Sequence, residues 1–248
     1  MSIHQTAIID EKAKIHPGVT IGPYTIIHGN VEIGPDSVIG SHCELGVSSS
    51  ADEGAPLILG EDAVIRSHSV FYEGSTFGPG LRTGHRVTVR ENTCAGTGFQ
   101  IGTLGDIQGH CVIGDYVKFH SNVHVGQQTR IEDFVWVFPY VVFTNDPHPP
   151  SHVLQGPTIK RFAAIATMTT ILPGVTVGEG ALVGACSAVT RDVGDHRIMA
   201  GNPAKDLGPT SRIKLRDGSD RPAYPWTTHF HRGYPEEVVA KWLAALAV

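Results

Sequence analysis

Charge and aromatic carbon are both scarce in this chain: 17% of its 248 residues are Asp, Glu, Lys or Arg, and 7% are Phe, Trp or Tyr. The 19 basic and 24 acidic side chains leave a net charge of −5, with the basic ones scattered until the C-terminal fifth. No cationic footprint for DNA or RNA results. Runs of 18 apolar residues are absent, which excludes a membrane-crossing helix. Met1 to Asp10 lacks the basic stretch and apolar core of an export signal. Together these absences predict a cytoplasmic protein that engages neither nucleic acid nor membrane. The four cysteines, Cys43, Cys94, Cys111 and Cys186, are far apart and form no CxxC pair. That spacing argues against a zinc knuckle and against a disulfide scaffold, so they are expected to be reduced, small apolar residues.

Glycine is the residue in excess, with 29 copies, well above the usual ~7%. Backbone turns are therefore plentiful and a helix-rich fold is disfavoured. An aliphatic or aromatic residue recurs at steps of six from Ile9 to Leu45, from Leu59 to Phe143 and from Ile159 to Val189. Of the 28 positions so counted, only Thr83 and Ala95 are not bulky and apolar. The next residue is often glycine, as at Gly22, Gly34, Gly84 and Gly102, and the fourth after the register position is usually small or β-branched. Such hexads alternate a short extended piece with a tight corner, which fits neither a period of 3.6 nor a hairpin meander. A hexapeptide period is a signature of the parallel β-helix. Three hexads to a triangular coil give about nine coils and a prism of roughly 43 Å.

Two interruptions, 46–58 and 144–158, are rich in Gly, Pro, Ser and Asn and read as loops thrown from prism corners. Loops on a rigid scaffold are where binding groups tend to sit. The prism is expected to span 1–207. Residues 208–248 form an extension, with an amphipathic helix near 235–246 that opens on Pro235, Glu236 and Glu237 and places Val238, Val239, Trp242 and Leu246 on one face. That helix is expected to dock on the prism or on a neighbouring subunit.

The repeats resemble the left-handed β-helix of the hexapeptide acyltransferases, and the stretch 3–42 is similar to the opening coils of UDP-N-acetylglucosamine acyltransferase. TGHRVTVRE (83–91), VVFTNDPHPPS (141–151), ILPGVTVGEGALVGACSAVTRDV (171–193) and AGNPAKDLG (200–208) look like the acetyltransferases that acylate nucleotide-linked amino sugars. The resemblance implies an all-β, left-handed parallel β-helix and a homotrimer with sites between subunits. It also implies an acyl-CoA-dependent N-acyltransferase, with acetyl-CoA as donor and a nucleotide-linked amino sugar as acceptor. IATMTTIL (165–172) and His148 depart from the pattern of these relatives.

Attack of an amine on a thioester needs a base, N–H donors for the oxyanion and a channel that brings the groups together. Histidine suits the first task because its ordinary pKa lies near operating pH. His85 is the lead candidate, by resemblance of the TGH corner to the family's active-site corner. His120 lies two coils further along the same face, ~10 Å along the axis. His148 sits in the proline-rich loop and could reach a neighbouring cleft, as a loop histidine does in the related antibiotic acetyltransferases. Glu91, Asn145 and Asp146 are candidates to hold the acceptor or shape its loop. For coenzyme A, the resemblance points to the small corner residues Ala166, Thr167, Gly184 and Ala185, with Arg191 and Lys205 meeting phosphates.

Three other readings stay open. An O-acetyltransferase acting on a sugar, serine or antibiotic hydroxyl would use the same scaffold and donor. A γ-carbonic-anhydrase-like zinc enzyme is suggested by His85, His120 and His124, but a corner should separate His120 from His124, and no metal is expected. A non-catalytic assembly module is the third.

Overall fold

The computed structural model describes residues 2–49, 54–229 and 232–246. Successive short strands fall in turn on three parallel sheets. Sheet A runs from Ser2–Ile3 to Arg197–Gly201, sheet B from Ile8–Ile9 to Ala188–Val189, and sheet C from Lys14–Ile15 to Thr176–Val177. Each residue in an uninterrupted coil therefore pairs with the one 18 positions away: Lys118 lies between Gln100 and Trp136, and His124 is beside Asp106. This is the parallel β-helix that the hexads predict.

The register residues point inward, and Ile21, Leu59, Ile107, Phe143 and Val183 are fully buried. Side chains four positions later also face the interior. There Thr25, Thr93 and Thr129 donate hydroxyl hydrogen bonds to the corner carbonyls of Gly40 (2.7 Å), Arg90 (3.1 Å) and Gly126 (2.6 Å). Small polar residues thus satisfy corner backbone groups that would otherwise be buried without partners. Cys43 and Cys111 occupy the same position of their hexads and are buried, as expected for small apolar residues, whereas Cys94 and Cys186 are exposed; all four are free thiols.

Close approach explains the corner glycines better than turn geometry does. A Cβ on Gly102 would lie 2.3 Å from the carbonyl carbon of His120 in the next coil. The left-handed backbone falls two residues later, on side chains such as His42, Leu104 and Tyr140.

Sheet A holds twelve strands, the last of them antiparallel, so the helix makes about eleven turns rather than nine. The difference lies at the ends. Ile3 begins a coil one hexad before the counted series, and the last turn continues after the six-step ends, with Val193 bridging Val177 and Met199 pairing with Val183. An antiparallel return strand, Ala204–Pro209, then covers the exposed edge of sheet A.

Both long loops leave the edge between sheets B and C. The first follows the strand Glu44–Val47, and its residues 50–53 lie outside the described residues. Ser48 Oγ and Ser49 N donate to the buried Glu73 carboxylate (2.8 and 3.3 Å) and anchor its start. The second follows Val142–Phe143 and is closed at its base by a hydrogen bond from Gln155 N to Asn145 O (2.7 Å).

Beyond the return strand the chain folds back over the outer face of sheet A and forms the helix Glu236–Leu246. Trp226, Tyr234, Val238 and Trp242 form a second apolar cluster with Trp136 of the prism. Trp226 Nε1 donates to Phe162 O (2.9 Å), Trp136 Nε1 donates to the Tyr234 hydroxyl, and Trp242 meets the Phe134 ring edge-on at 4.9 Å. The helix therefore docks on its own prism; the side chain of Leu246 lies outside the described residues. Among the described residues no helix is long and apolar enough to cross a membrane.

Candidate functional site

The outer face of sheet B carries a polar pair between the two loops. Asp106 and His124 occupy matching positions on adjacent coils, so their side chains project side by side. His124 Nδ1 lies 2.8 Å from Asp106 Oδ2, and Gln108 Nε2 donates to both carboxylate oxygens at 2.9 and 2.8 Å. Hydrogen bonding to His124 is the main cause that holds the Asp106 carboxyl below the usual range, with Gln108, His124's charge and nearby Arg90 adding to it against the cost of burial. An ionised carboxylate at Nδ1 keeps the proton there and leaves Nε2 as an available base. Both side chains remain partly open to solvent.

Each residue singled out from the sequence has a defined place. His85 is exposed at the edge between sheets A and B, where its Nδ1 lies 2.8 Å from Ser67 Oγ and its backbone N–H donates to Thr103 Oγ1 (3.2 Å). His120 follows the strand Lys118–Phe119 on the same edge and stacks on Phe138 at 5.0 Å. Burial, then the charge of Arg232, lowers its proton affinity. A corner separates it from His124, which belongs to sheet B. Glu91 is buried on the edge between sheets B and C and is held by Arg90 through bonds of 3.0 and 2.8 Å. On the second loop His148 is exposed, while its N–H donates to Asp146 (2.9 Å), which also accepts from Ser151 N and Oγ (2.8 and 2.7 Å). Asp146 therefore organises the loop. Gly126 lets the loop pass beneath it, since a Cβ there would lie 2.8 Å from Phe143 O and 3.2 Å from Asn145.

The small corner residues Ala166, Thr167, Gly184 and Ala185 continue the edge that bears His85 and His120. Two of their amides are already committed, Ala166 N to Val183 O and Gly184 N to Met199 O (2.9 Å each), so they tie coils together. Arg191 lies at the edge after sheet B, and Lys205 on the return strand; both are exposed.

The pairing of Asp106 with His124 was written in the sequence as a separation of 18, one full coil, and it escapes a reading that follows corners. Lys118 carries no such signal. It points outward from sheet A, yet the C-terminal segment buries it. A cavity of about 490 Å³ lies elsewhere, between the helix and the edge joining sheets C and A, and includes the paired Arg161 and Glu179. None of the candidate histidines lines it. Among the described residues no cluster of three or more His, Cys, Asp or Glu is arranged to hold a metal ion.

Residues 12–46 match the family model described as bacterial transferase hexapeptide, six repeats. The chain is 31% identical over 102 residues to a chloramphenicol acetyltransferase of Agrobacterium fabrum, covering 39% of this chain and 47% of that protein. It is 29% identical over 112 residues to galactoside O-acetyltransferase of Escherichia coli, covering 36% and 55%. Among solved structures, UDP-N-acetylglucosamine acyltransferase of Francisella novicida is 18% identical, with a TM-score of 0.44 over 97% of this chain and 76% of that one. The chain thus spans about half the length of these two curated relatives. It is a hexapeptide-repeat parallel β-helix related in sequence to acetyltransferases.

Proposed function

We propose that the protein transfers an acetyl group from acetyl-CoA to the amino group of a nucleotide-linked amino sugar, with His124 as general base and Asp106 as the residue that positions it. The observation that carries this reading is the 2.8 Å contact between the two side chains on a partly open sheet face flanked by both loops. The amine lone pair attacks the thioester carbonyl carbon, and His124 Nε2 takes the amine proton. The tetrahedral oxyanion collapses, the carbon–sulfur bond breaks, and the coenzyme A thiolate leaves and is protonated. General-base assistance of this kind is worth ~10²- to 10⁴-fold. His85, whose partner is the neutral Ser67 hydroxyl, is the second candidate for the base.

An exposed apolar stripe on the edge between sheets A and B, formed by Leu104, Tyr140 and Met168, supports a homotrimer in which a neighbour covers this edge. The His148 loop would then reach the partner's cleft. Ala166, Thr167, Gly184 and Ala185 would offer coenzyme A a shallow surface rather than free amides, with Arg191 and Lys205 meeting its phosphates. Four free cysteines suit a reducing compartment such as the cytoplasm.

A hydroxyl acceptor is the second reading, favoured by the same pair. Hydroxyls need stronger base assistance than neutral amines, and a carboxylate-held histidine supplies it. The test is thiol release from acetyl-CoA with UDP-linked amino sugars against the corresponding hydroxyl sugars. Turnover with the amine alone supports N-acylation; turnover with the hydroxyl alone replaces it; none with either removes the acyltransferase reading for these acceptors.

A further inference from the structure

The C-terminal segment covers sheet A incompletely and leaves two cavities that share Trp136 as a wall. One, of about 230 Å³, is lined by Lys118, His120, Ser121, Trp136 and Arg232 among others. The next, of about 210 Å³, is lined by Phe138, Tyr224, Trp226 and His229 beside Trp136. Together they reach the ~300–1,000 Å³ of small-molecule sites. No described Asp or Glu lines either cavity.

Lys118 is the unusual member. Only 5% exposed, it donates a hydrogen bond to Gly233 O (2.6 Å) and sits 4.6 Å above the Tyr234 ring, and among the described residues no carboxylate pairs with it. Burial, and secondarily Arg232, pushes its pKa down to about 8, and the same two causes lower that of His120. A buried ammonium close to a second cation, with no carboxylate beside it among the described residues, is destabilised, and an anion between the two would reverse that. Gly233 is fitted to the arrangement, since a Cβ there would lie 3.0 Å from Lys118 Nζ.

We infer that this double cavity is a nucleotide-binding site: Lys118, Arg232 and His120 meet the phosphate, and the base lies against Trp136 and Tyr224. The inference rests on the acyltransferase reading only for the source of the nucleotide, which is either the acceptor's nucleoside diphosphate or the adenosine 3′-phosphate end of coenzyme A. Only the corner 120–123 separates the strand of Lys118 from that of His124, so a ligand held here can extend onto the sheet B face.

Binding is measured without turnover, so its failure is distinct from a failure of acyl transfer. Calorimetry and tryptophan fluorescence on the full chain would use uridine 5′-diphosphate, adenosine 3′,5′-bisphosphate, uridine and inorganic phosphate. At least one nucleotide is expected to bind, more tightly than uridine or phosphate. Its affinity should fall at least about tenfold in Lys118→Met and in Arg232→Gln, the loss typical of a charge-assisted hydrogen bond. The tighter of the two nucleotides identifies the source. Arg232 is exposed, so its variant stays informative if Lys118→Met misfolds. Absence of nucleotide binding to the wild type, binding of phosphate as tight as that of either nucleotide, or equal nucleotide affinity in wild type and Arg232→Gln would each overturn the inference.

Discussion

His124 and Asp106 are one full turn of the prism apart in sequence and 2.8 Å apart in space. A parallel coil brings together residues 18 positions apart as reliably as a helix does residues four apart. Gln108 Nε2 donates to both oxygens of the carboxylate, so the group that orients the imidazole is itself held. Asp106→Asn should therefore lower kcat by ~10-fold or more while leaving acetyl-CoA affinity unchanged, because it disturbs only the tautomer and orientation of the base. Steady-state kinetics on that variant, with acetyl-CoA binding measured separately, checks this.

The same contact has a stability signature. The folded Asp106 carboxyl titrates below its unfolded value of ~3.9. Its contribution is therefore present above the unfolded value and is lost as pH falls through the lower, folded one. Asp106→Asn should flatten the acid limb of a denaturation-against-pH curve; an unchanged limb would mean the ion pair does not persist in solution.

Lys118 has the opposite sign. Its folded pKa of about 8 lies below the ordinary ~10.4, so the unfolded chain binds more protons between these values. Stability from this group should rise with pH across that window. Lys118→Met should stabilise the apo protein at pH 7 by about 1–3 kcal/mol, the lost cation–π contact with Tyr234 and the lost hydrogen bond to Gly233 O offsetting part of the gain. Urea titrations at pH 7 and pH 10 would show the difference between variant and wild type shrinking at the higher pH.

Along the prism axis, Phe143 is fully buried and stacks between Val125 and Ile171. Truncation to alanine leaves a void that stacked coils cannot close, so Phe143→Ala should cost ~3–5 kcal/mol. Chemical denaturation reads this directly.

If Tyr140 and Met168 belong to a subunit contact, Tyr140→Asp should shift the protein toward monomer in sedimentation without loss of strand content. An unaltered assembly would remove this edge from the interface.

The prism was legible because its physics is local and periodic: Ile21, Ile27 and Ile33 face the interior from the three sheets in turn, and Ile39 returns to the first, stacked on Ile21. The ends were less so, since the turn through Val193 and Met199 abandons the step of six. The candidate site was harder still. Sequence patterns rank His85 by its corner motif, but what distinguishes His124 is a carboxylate one coil away. Lys118 is inaccessible to such reasoning, because its burial depends on Trp226, Tyr234 and Trp242 returning from more than a hundred residues downstream.

Thiol release from acetyl-CoA with a UDP-linked amino sugar, compared across wild type, His124→Ala and His85→Ala, tests the central claim most directly. The expected result is a loss of ~10²- to 10⁴-fold in kcat for His124→Ala and less than about tenfold for His85→Ala. Turnover by His124→Ala within about tenfold of wild type would contradict the account, and a large loss confined to His85→Ala would move the base to the edge between sheets A and B.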